Sequence, residues 1–205
     1  MNLFSNKIVQ VLNEDGRVEY YGKIITYEEA SLYFEMLSQN IVWKNDEVVI
    51  LGKHIITKRK TAWYGDSDYL YAYSNITKRA LPWISELRDL KQLVERLTGT
   101  KFNSCLLNLY HDGNEGMSWH SDDEKVMERN GTIASLSFGA ERKFSFKHKE
   151  TKETISIVLE HGSLLVMKDE TQMHWLHSLP KVKKIIKPRI NLTFRNIIYS
   201  DNTVS

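Results

Sequence analysis

From residue 104 to residue 198 the chain is a succession of short apolar, β-branched and aromatic runs cut by turn signals, and this pattern constrains the fold more than any other feature. The runs cover 104–110, 116–120, 132–138, 143–148, 154–159, 163–167 and 189–198. His111-Asp112-Gly113-Asn114, Glu128-Arg129-Asn130-Gly131, Gly139-Ala140-Glu141, Lys149-Glu150-Thr151-Lys152 and His161-Gly162 separate them. Strands this short, with turns this frequent, build a sandwich or barrel and not a parallel α/β sheet. A jelly roll with a ligand-sized mouth between its two sheets is expected.

Helical signals lie upstream. Thr26 to Glu29 has the form of a capping box, and Ala30, Leu32, Tyr33, Met36 and Leu37 recur at helical spacing, which predicts a helix over 27–38. A second helix is predicted from Pro82, a good first-turn residue, with Ile84, Leu87, Leu90, Leu93, Val94 and Leu97 on one face and Gly99 as its stop. The fold class is therefore mainly β with flanking helices (α+β). Residues 1–100 are expected to pack on a core formed by 101–199, as one compact domain of 205 residues.

Composition narrows the setting. No run of eighteen apolar residues offers a membrane span, and the first ten residues lack the basic start and apolar stretch of a signal peptide, so a cytoplasmic protein with no membrane partner is expected, and it is taken to be a monomer. The single cysteine, Cys105, excludes an internal disulfide and reads as a buried strand residue. A net charge of +2 does not announce nucleic-acid binding. The clustering of Lys58-Arg59-Lys60 and of Lys181, Lys183, Lys184 and Lys187 says more, although a solvated face explains either cluster alone.

The chemistry is concentrated at His120-Ser121-Asp122. Two residues apart at the end of a strand, His120 and Asp122 can point to the same side, and a further histidine would complete a facial triad with open positions for dioxygen chemistry at iron. His148 and His161 read as exposed turn residues. His174 and His177 both remain candidates, and the position of His177 just before Pro180 favours it. Arg189 and Arg195, six apart on the last run, share one face. Facing inward, they would demand an anion, and a dicarboxylate would occupy both. Asn108 and Tyr110 share a face of an earlier run and can hydrogen-bond the same ligand.

Asn108-x-Tyr110, His120-Ser121-Asp122-Asp123-Glu124, Ile133-Ala134-Ser135-Leu136-Ser137-Phe138-Gly139, His161-Gly162-Ser163-Leu164-Leu165, His177-Ser178-Leu179-Pro180 and Pro188-Arg189-Ile190-Asn191-Leu192-Thr193-Phe194-Arg195 together resemble the AlkB family of nucleic-acid dealkylases. The resemblance spans residues 50–198 in order and spacing. It implies a double-stranded β-helix with an N-terminal nucleotide-recognition lid, using iron(II) with 2-oxoglutarate and dioxygen as co-substrates. His120, Asp122 and His177 would be the iron ligands. Arg195 would lie near the chelating end of 2-oxoglutarate and Arg189 would pair with the far carboxylate, with Asn108, Tyr110 and Asn191 completing the hydrogen bonds.

The implied reaction removes a methyl group from 1-methyladenine or 3-methylcytosine as formaldehyde, in DNA or RNA. Such a base must leave its stack to reach a buried metal. Asp123 and Glu124 could favour its positive charge, Tyr71 and Tyr73 could clamp it, and Arg59 could contact a phosphate. An acidic turn bonding its own backbone is the plainer reading of Asp123 and Glu124. Two other function classes compete: a hydroxylase of a protein or small molecule using the same reactants, and a metal-free barrel that binds nucleic acid. The Tyr71/Tyr73 pair and the basic clusters oppose the first, and the full set of His, Asp and Arg residues opposes the second.

Leu51 stands where relatives that prefer duplex DNA carry a large aromatic on an apolar hairpin. Leucine can act as a wedge, but it lacks the flat face that replaces stacking. Leu51→Ala is expected to lower activity on duplex substrate while sparing single strands in a side-by-side repair assay; unchanged duplex activity would reduce the hairpin to packing.

Overall fold

Two largely antiparallel sheets enclose the interior of the protein in this computed structural model, which describes residues 7–50, 53–73, 76–124 and 126–198, with side chains for all of these except 48–50, 53, 54, 70–73 and 76–78. The first half supplies β1 (Val9–Gln10), β2 (Arg17–Lys23), α1 (Tyr27–Asn40), β3 (Lys44–Ile50), β4 (Lys53–Gly65), β5 (Leu70–Tyr73), β6 (Ile76–Arg79), β7 (Leu81–Pro82) and α2 (Ser85–Thr98). The second supplies β8 (Ser104–Tyr110), β9 (Met117–His120), β10 (Ile133–Gly139), β11 (Arg142–His148), β12 (Thr154–Leu159), β13 (Ser163–Lys168), α3 (Thr171–His174), β14 (Trp175–Leu179) and β15 (Arg189–Arg195).

Among the described residues the large sheet runs β1-β2-β13-β10-β15-β8-β4-β3, with β7 beside β4. The small sheet runs β12-β11-β14-β9, and β5 pairs with β6 alone. The first hundred residues thus extend the large sheet on both flanks, beyond what the sequence pattern suggests. The expected jelly roll is present.

Alternation sorts the side chains of the large sheet. Ala134, Leu136 and Phe138 of β10, Cys105 and Leu107 of β8, and Ile190, Leu192 and Phe194 of β15 form one cluster with Ala30 and Leu37 of α1 and Leu87, Leu90 and Val94 of α2. The opposite face looks toward the small sheet, where Phe146 and Trp175 pack with Ile133, Leu165 and Met167. The helices therefore cover one face and leave the other to line a site between the sheets.

The capping box at α1 makes both of its bonds, with the Glu29 amide donating to Thr26 Oγ1 at 3.2 Å and the Thr26 amide to Glu29 Oε2 at 3.3 Å. Gly99 ends α2 in the left-handed region at φ 70°, as expected. Pro82 does not start that helix. It closes β7, and Ile84 precedes the first turn without a side-chain cap.

Two loops of the barrel rim are joined backbone to backbone. The Gly113 amide donates to Ile185 O at 2.7 Å and the Val182 amide to Gly113 O at 2.8 Å. A Cβ on Gly113 would overlap the Val182 carbonyl, and one on Gly116 the Leu179 carbonyl, so neither position accommodates a side chain. Beneath them Arg142, 1% exposed, donates to Glu115 O at 2.9 Å, Pro180 O at 2.8 Å and Asp112 O at 3.4 Å. Arg142→Met should cost about 3 kcal/mol of stability, because it leaves several carbonyls without a charged donor. Urea denaturation would measure the loss, and an unchanged midpoint would show that water replaces the guanidinium freely.

Candidate active site

β9 and β14 are neighbours in the small sheet, and His120 lies directly opposite His177 in their register. Asp122 follows two residues after His120. Its Oδ1 lies 3.6 Å from His120 Nε2 and 3.8 Å from His177 Nε2. One donor atom from each of the three falls within 4.8 Å of the others, and the 3.6 and 3.8 Å separations from the carboxylate are short enough for one ion bonded at about 2.1 Å to touch both partners.

The donor chemistry fits a ferrous ion. His120 Nδ1 lies 2.8 Å from Ser118 O, so the ring proton sits there and the Nε2 lone pair faces the other ligands. The Asp122 amide donates to Gln172 Oε1 at 2.9 Å, which fixes the turn that presents the carboxylate. Lys149 Nζ reaches Ser121 Oγ at 3.2 Å and Gln172 O at 2.8 Å, tying the same turn to α3. Burial works to raise the Asp122 pKa, but Arg195, His177 and His120 outweigh it and hold the carboxyl below its usual range. Burial pushes His177 down to about 4, so its imidazole is neutral and can ligate near neutral pH.

A second group, Asp15, His148 and His174, also brings donor atoms together. It does not suit a metal. His148 Nδ1 accepts from the amides of Glu150 and Thr151 at 3.2 and 3.0 Å, so its proton is at Nε2, 3.2 Å from Asp15 Oδ2, and neither nitrogen keeps a free lone pair. Both histidines expected in exposed turns are buried. His148 lies on β11 at 2% exposure, and His161 at 9%, because each ring accepts backbone amides, His161 Nδ1 from Gly139 at 2.9 Å. His174 belongs to α3, its ring parallel to that of His148 at 6.2 Å.

An inner cavity of about 70 Å³ lies behind the triad, lined by Asn108, Tyr110, Ser135, Arg189, Asn191 and Thr193 together with His120, Asp122 and His177. Arg189, Asn191 and Arg195 all point inward from β15, in register with Tyr110, Asn108 and Ser104 of β8. Arg189 is 2% exposed. Its Nη2 donates to Asn191 Oδ1 at 2.7 Å and Ser137 Oγ at 2.9 Å, its Nε has no partner, and its guanidinium lies 5.6 Å over the Tyr110 ring. Burial lowers its pKa to about 10, so the buried group is still a cation, and no carboxylate among the described residues pairs with it. A buried cation set among neutral groups is a seat for an anion. Arg195 Nη1 sits 3.6 Å from Asp122 Oδ2, beside the triad, and the Nε of Arg195 and Oδ1 of Asn108 are likewise buried without partners. The orphaned guanidinium N–H groups of Arg189 and Arg195 match the hydrogen-bonding needs of a dicarboxylate.

In front of the triad an open cleft of about 900 Å³ is lined by Arg59, Trp119, His120, Asp122, Glu124 and Lys181, among others. The two acids after the motif part company. Glu124 is half-buried and borders the cleft, whereas Asp123 is exposed and accepts from Ser121 Oγ at 3.1 Å, the plainer turn reading. Arg59, the candidate phosphate contact, lines the cleft. It is buried against Asp46 there, 5.9 Å over the Tyr110 ring. Tyr71 and Tyr73 lie on β5, but their side chains, like the whole of Leu51, fall outside the described residues.

Residues 17–195 match the model of the 2OG-Fe(II) oxygenase superfamily. The mouse DNA oxidative demethylase ALKBH2 is 39% identical over 198 residues, covering 91% of this chain and 83% of that protein. The chain belongs to the AlkB family. Human alpha-ketoglutarate-dependent dioxygenase alkB homolog 3 is 40% identical over 192 residues, 89% of this chain and 66% of its own length. The bovine ALKBH2 is 39% identical across 83% of this chain and 65% of itself, so the chain spans about two thirds of the length of some AlkB relatives. The solved structure of OsALKBH1 superposes with a TM-score of 0.62 at 13% identity, covering 93% of this chain and all of that one, and supports the fold alone. Iron(II), 2-oxoglutarate and dioxygen are the reactants of this superfamily, and the triad and inner cavity of this AlkB protein have the donors to hold them.

Gln172, Ser135, Ser137 and Asp46 were missed by sequence reasoning. The two serines were legible in the alternation of Ala134-Ser135-Leu136-Ser137-Phe138, but a lone Gln on a four-residue helix carries no signal. Arg189→Met is expected to weaken 2-oxoglutarate binding about 100-fold by calorimetry, while binding of manganese as an iron substitute persists. Equal loss of both would show that Arg189 holds the fold and not the anion.

Proposed function

We propose that this protein oxidatively demethylates alkylated bases in DNA, with 1-methyladenine and 3-methylcytosine as substrates and formaldehyde as product, and that it acts as a monomer. The observation that carries the reading is the position of the triad. His120 and Asp122 line both the inner cavity with its uncompensated Arg189 and the open cleft, so a co-substrate and a base can approach one metal from opposite sides. The names of the relatives point to DNA as the substrate class.

When bound, iron(II) with 2-oxoglutarate and dioxygen supplies oxidation of the N-methyl group, and the overall reaction yields succinate, carbon dioxide, formaldehyde and the restored base. The chain's own residues orient and select. Arg189 and Tyr110 hold the far carboxylate of the co-substrate, and Arg195 and Asn108 steady the end nearest the metal. Gln172 and Lys149 keep the Asp122 turn in place. Methylation at adenine N1 or cytosine N3 makes the base cationic, and Glu124 at the cleft wall favours that charge and accepts from the exocyclic amine. A flipped base enters the cleft past Trp119, with Tyr71 and Tyr73 of β5 proposed as its clamp. RNA is the second strand to test, since it carries the same two bases.

With iron(II), 2-oxoglutarate and an oligonucleotide containing 1-methyladenine, formaldehyde and unmodified adenine are expected in equal amounts. Asp122→Ala should reduce turnover at least about 1,000-fold, as loss of a metal-binding carboxylate does. Full activity in that variant, or 2-oxoglutarate consumption without base repair, would overturn the reading.

A further inference from the structure

β9 is the edge strand of the small sheet, and the cleft opens along it. Because His120 turns inward to the triad, Trp119 turns outward, and its side chain is left 41% exposed. A tryptophan is an expensive residue to leave in water. On β11, two strands away, Phe146 and His148 are buried and Lys147 between them points out, placing its Nζ 5.9 Å over the Trp119 ring. The same face continues through Leu176 on β14 to Lys143 on β11, and to Val158 on β12, which is 50% exposed. β9, β11, β12 and β14 carry no Asp or Glu at all, whereas β11 carries Arg142, Lys143 and Lys147.

We propose that Trp119 and Lys147 form a stacking platform for an unpaired base of the strand being repaired, a neighbour of the flipped nucleotide and outside the catalytic pocket. The proposal rests on the nucleic-acid reading above and adds a second subsite to it. Position and chemistry both select this occupant. Trp119 borders the same cleft as His120 and Glu124, so a strand whose modified base enters the cleft runs across the indole within a nucleotide or two. A flat, exposed indole binds a π-face, and such a face is free only on a base without a stacked neighbour. Lys147 supplies the ammonium for the phosphate of that nucleotide, and the carboxylate-free sheet face does not repel the backbone. A base within an intact duplex offers no open face, so the platform favours single strands or the frayed edge of a lesion.

The test is fluorescence anisotropy of the full chain with a labelled, unmodified twelve-residue single strand and with a duplex of the same length. Trp119→Ala should weaken single-strand binding about 10-fold, with duplex affinity much less affected, and Trp119→Phe should recover most of the loss. Lys147→Ala should lower the slope of log affinity against log salt by about 0.7 on single strands. In repair assays on single strands the Trp119→Ala loss should fall on KM, and should shrink as the strand is shortened toward a dinucleotide. Melting temperature and 2-oxoglutarate binding report on folding. If Trp119→Ala lowers either, Trp119→Phe and Lys147→Ala carry the test. Single-strand affinity indifferent to both residues overturns the platform, as does an equal loss on single strand and duplex, and as does failure of the wild type to bind single strands. Failure of the demethylation reading looks different: no oligonucleotide would be repaired, whatever residue 119 is.

Discussion

The structure depends on the two-residue period of β15. Ile190, Leu192 and Phe194 go into the layer between sheet and helices, while Arg189, Asn191, Thr193 and Arg195 go into the space between the sheets. Pairing with β8 sets Arg189 against Tyr110 and Asn191 against Asn108, and pairing with β10 sets Asn191 against Ser137. A slip of one residue would drive two guanidinium groups into the apolar layer and strip the site of its polar lining. The cost of that slip makes the register secure, so packing and site geometry are specified by the same constraint.

Charge in the interior is arranged unevenly. Asp122 faces the guanidinium of Arg195, whereas Arg189 is balanced by dipoles only. The chain therefore leaves a demand for negative charge at the far end of the inner cavity, and at the triad it gathers donors suited to a cation. An anionic co-substrate and a divalent metal suit the two places, and each makes burial of the other less costly.

Much of this was legible in the residues. Short apolar runs marked β8, β10, β11, β12 and β13 to within a residue, and the capping box marked α1, because these signals are local; the last run was read three residues too long, since β15 stops at Arg195. The even spacing of Arg189 and Arg195 put both on one face, and the structure turns that face inward. Contacts made by residues far apart in the chain were not legible. His148 and His161 look like turn residues until the backbone amides that their ring nitrogens accept are known, and Arg59 looks like a surface cation until Asp46, thirteen residues away, is brought beside it. Pro82 misled for another reason. A proline fits a strand end as readily as a first helical turn, and only pairing of β7 with β4 decides between them. Gln172 left no trace, since its role comes from where α3 sits and not from its neighbours in sequence.

The rim loop that carries Lys181, Lys183, Lys184 and Lys187 owes its course to main-chain bonds with Gly113 and to the buried guanidinium of Arg142 beneath it. All four lysines are exposed. Shape and charge are therefore encoded by different residues, and the electrostatic character of the rim can drift, or be redesigned, from one lineage to another without moving the wall on which it is written.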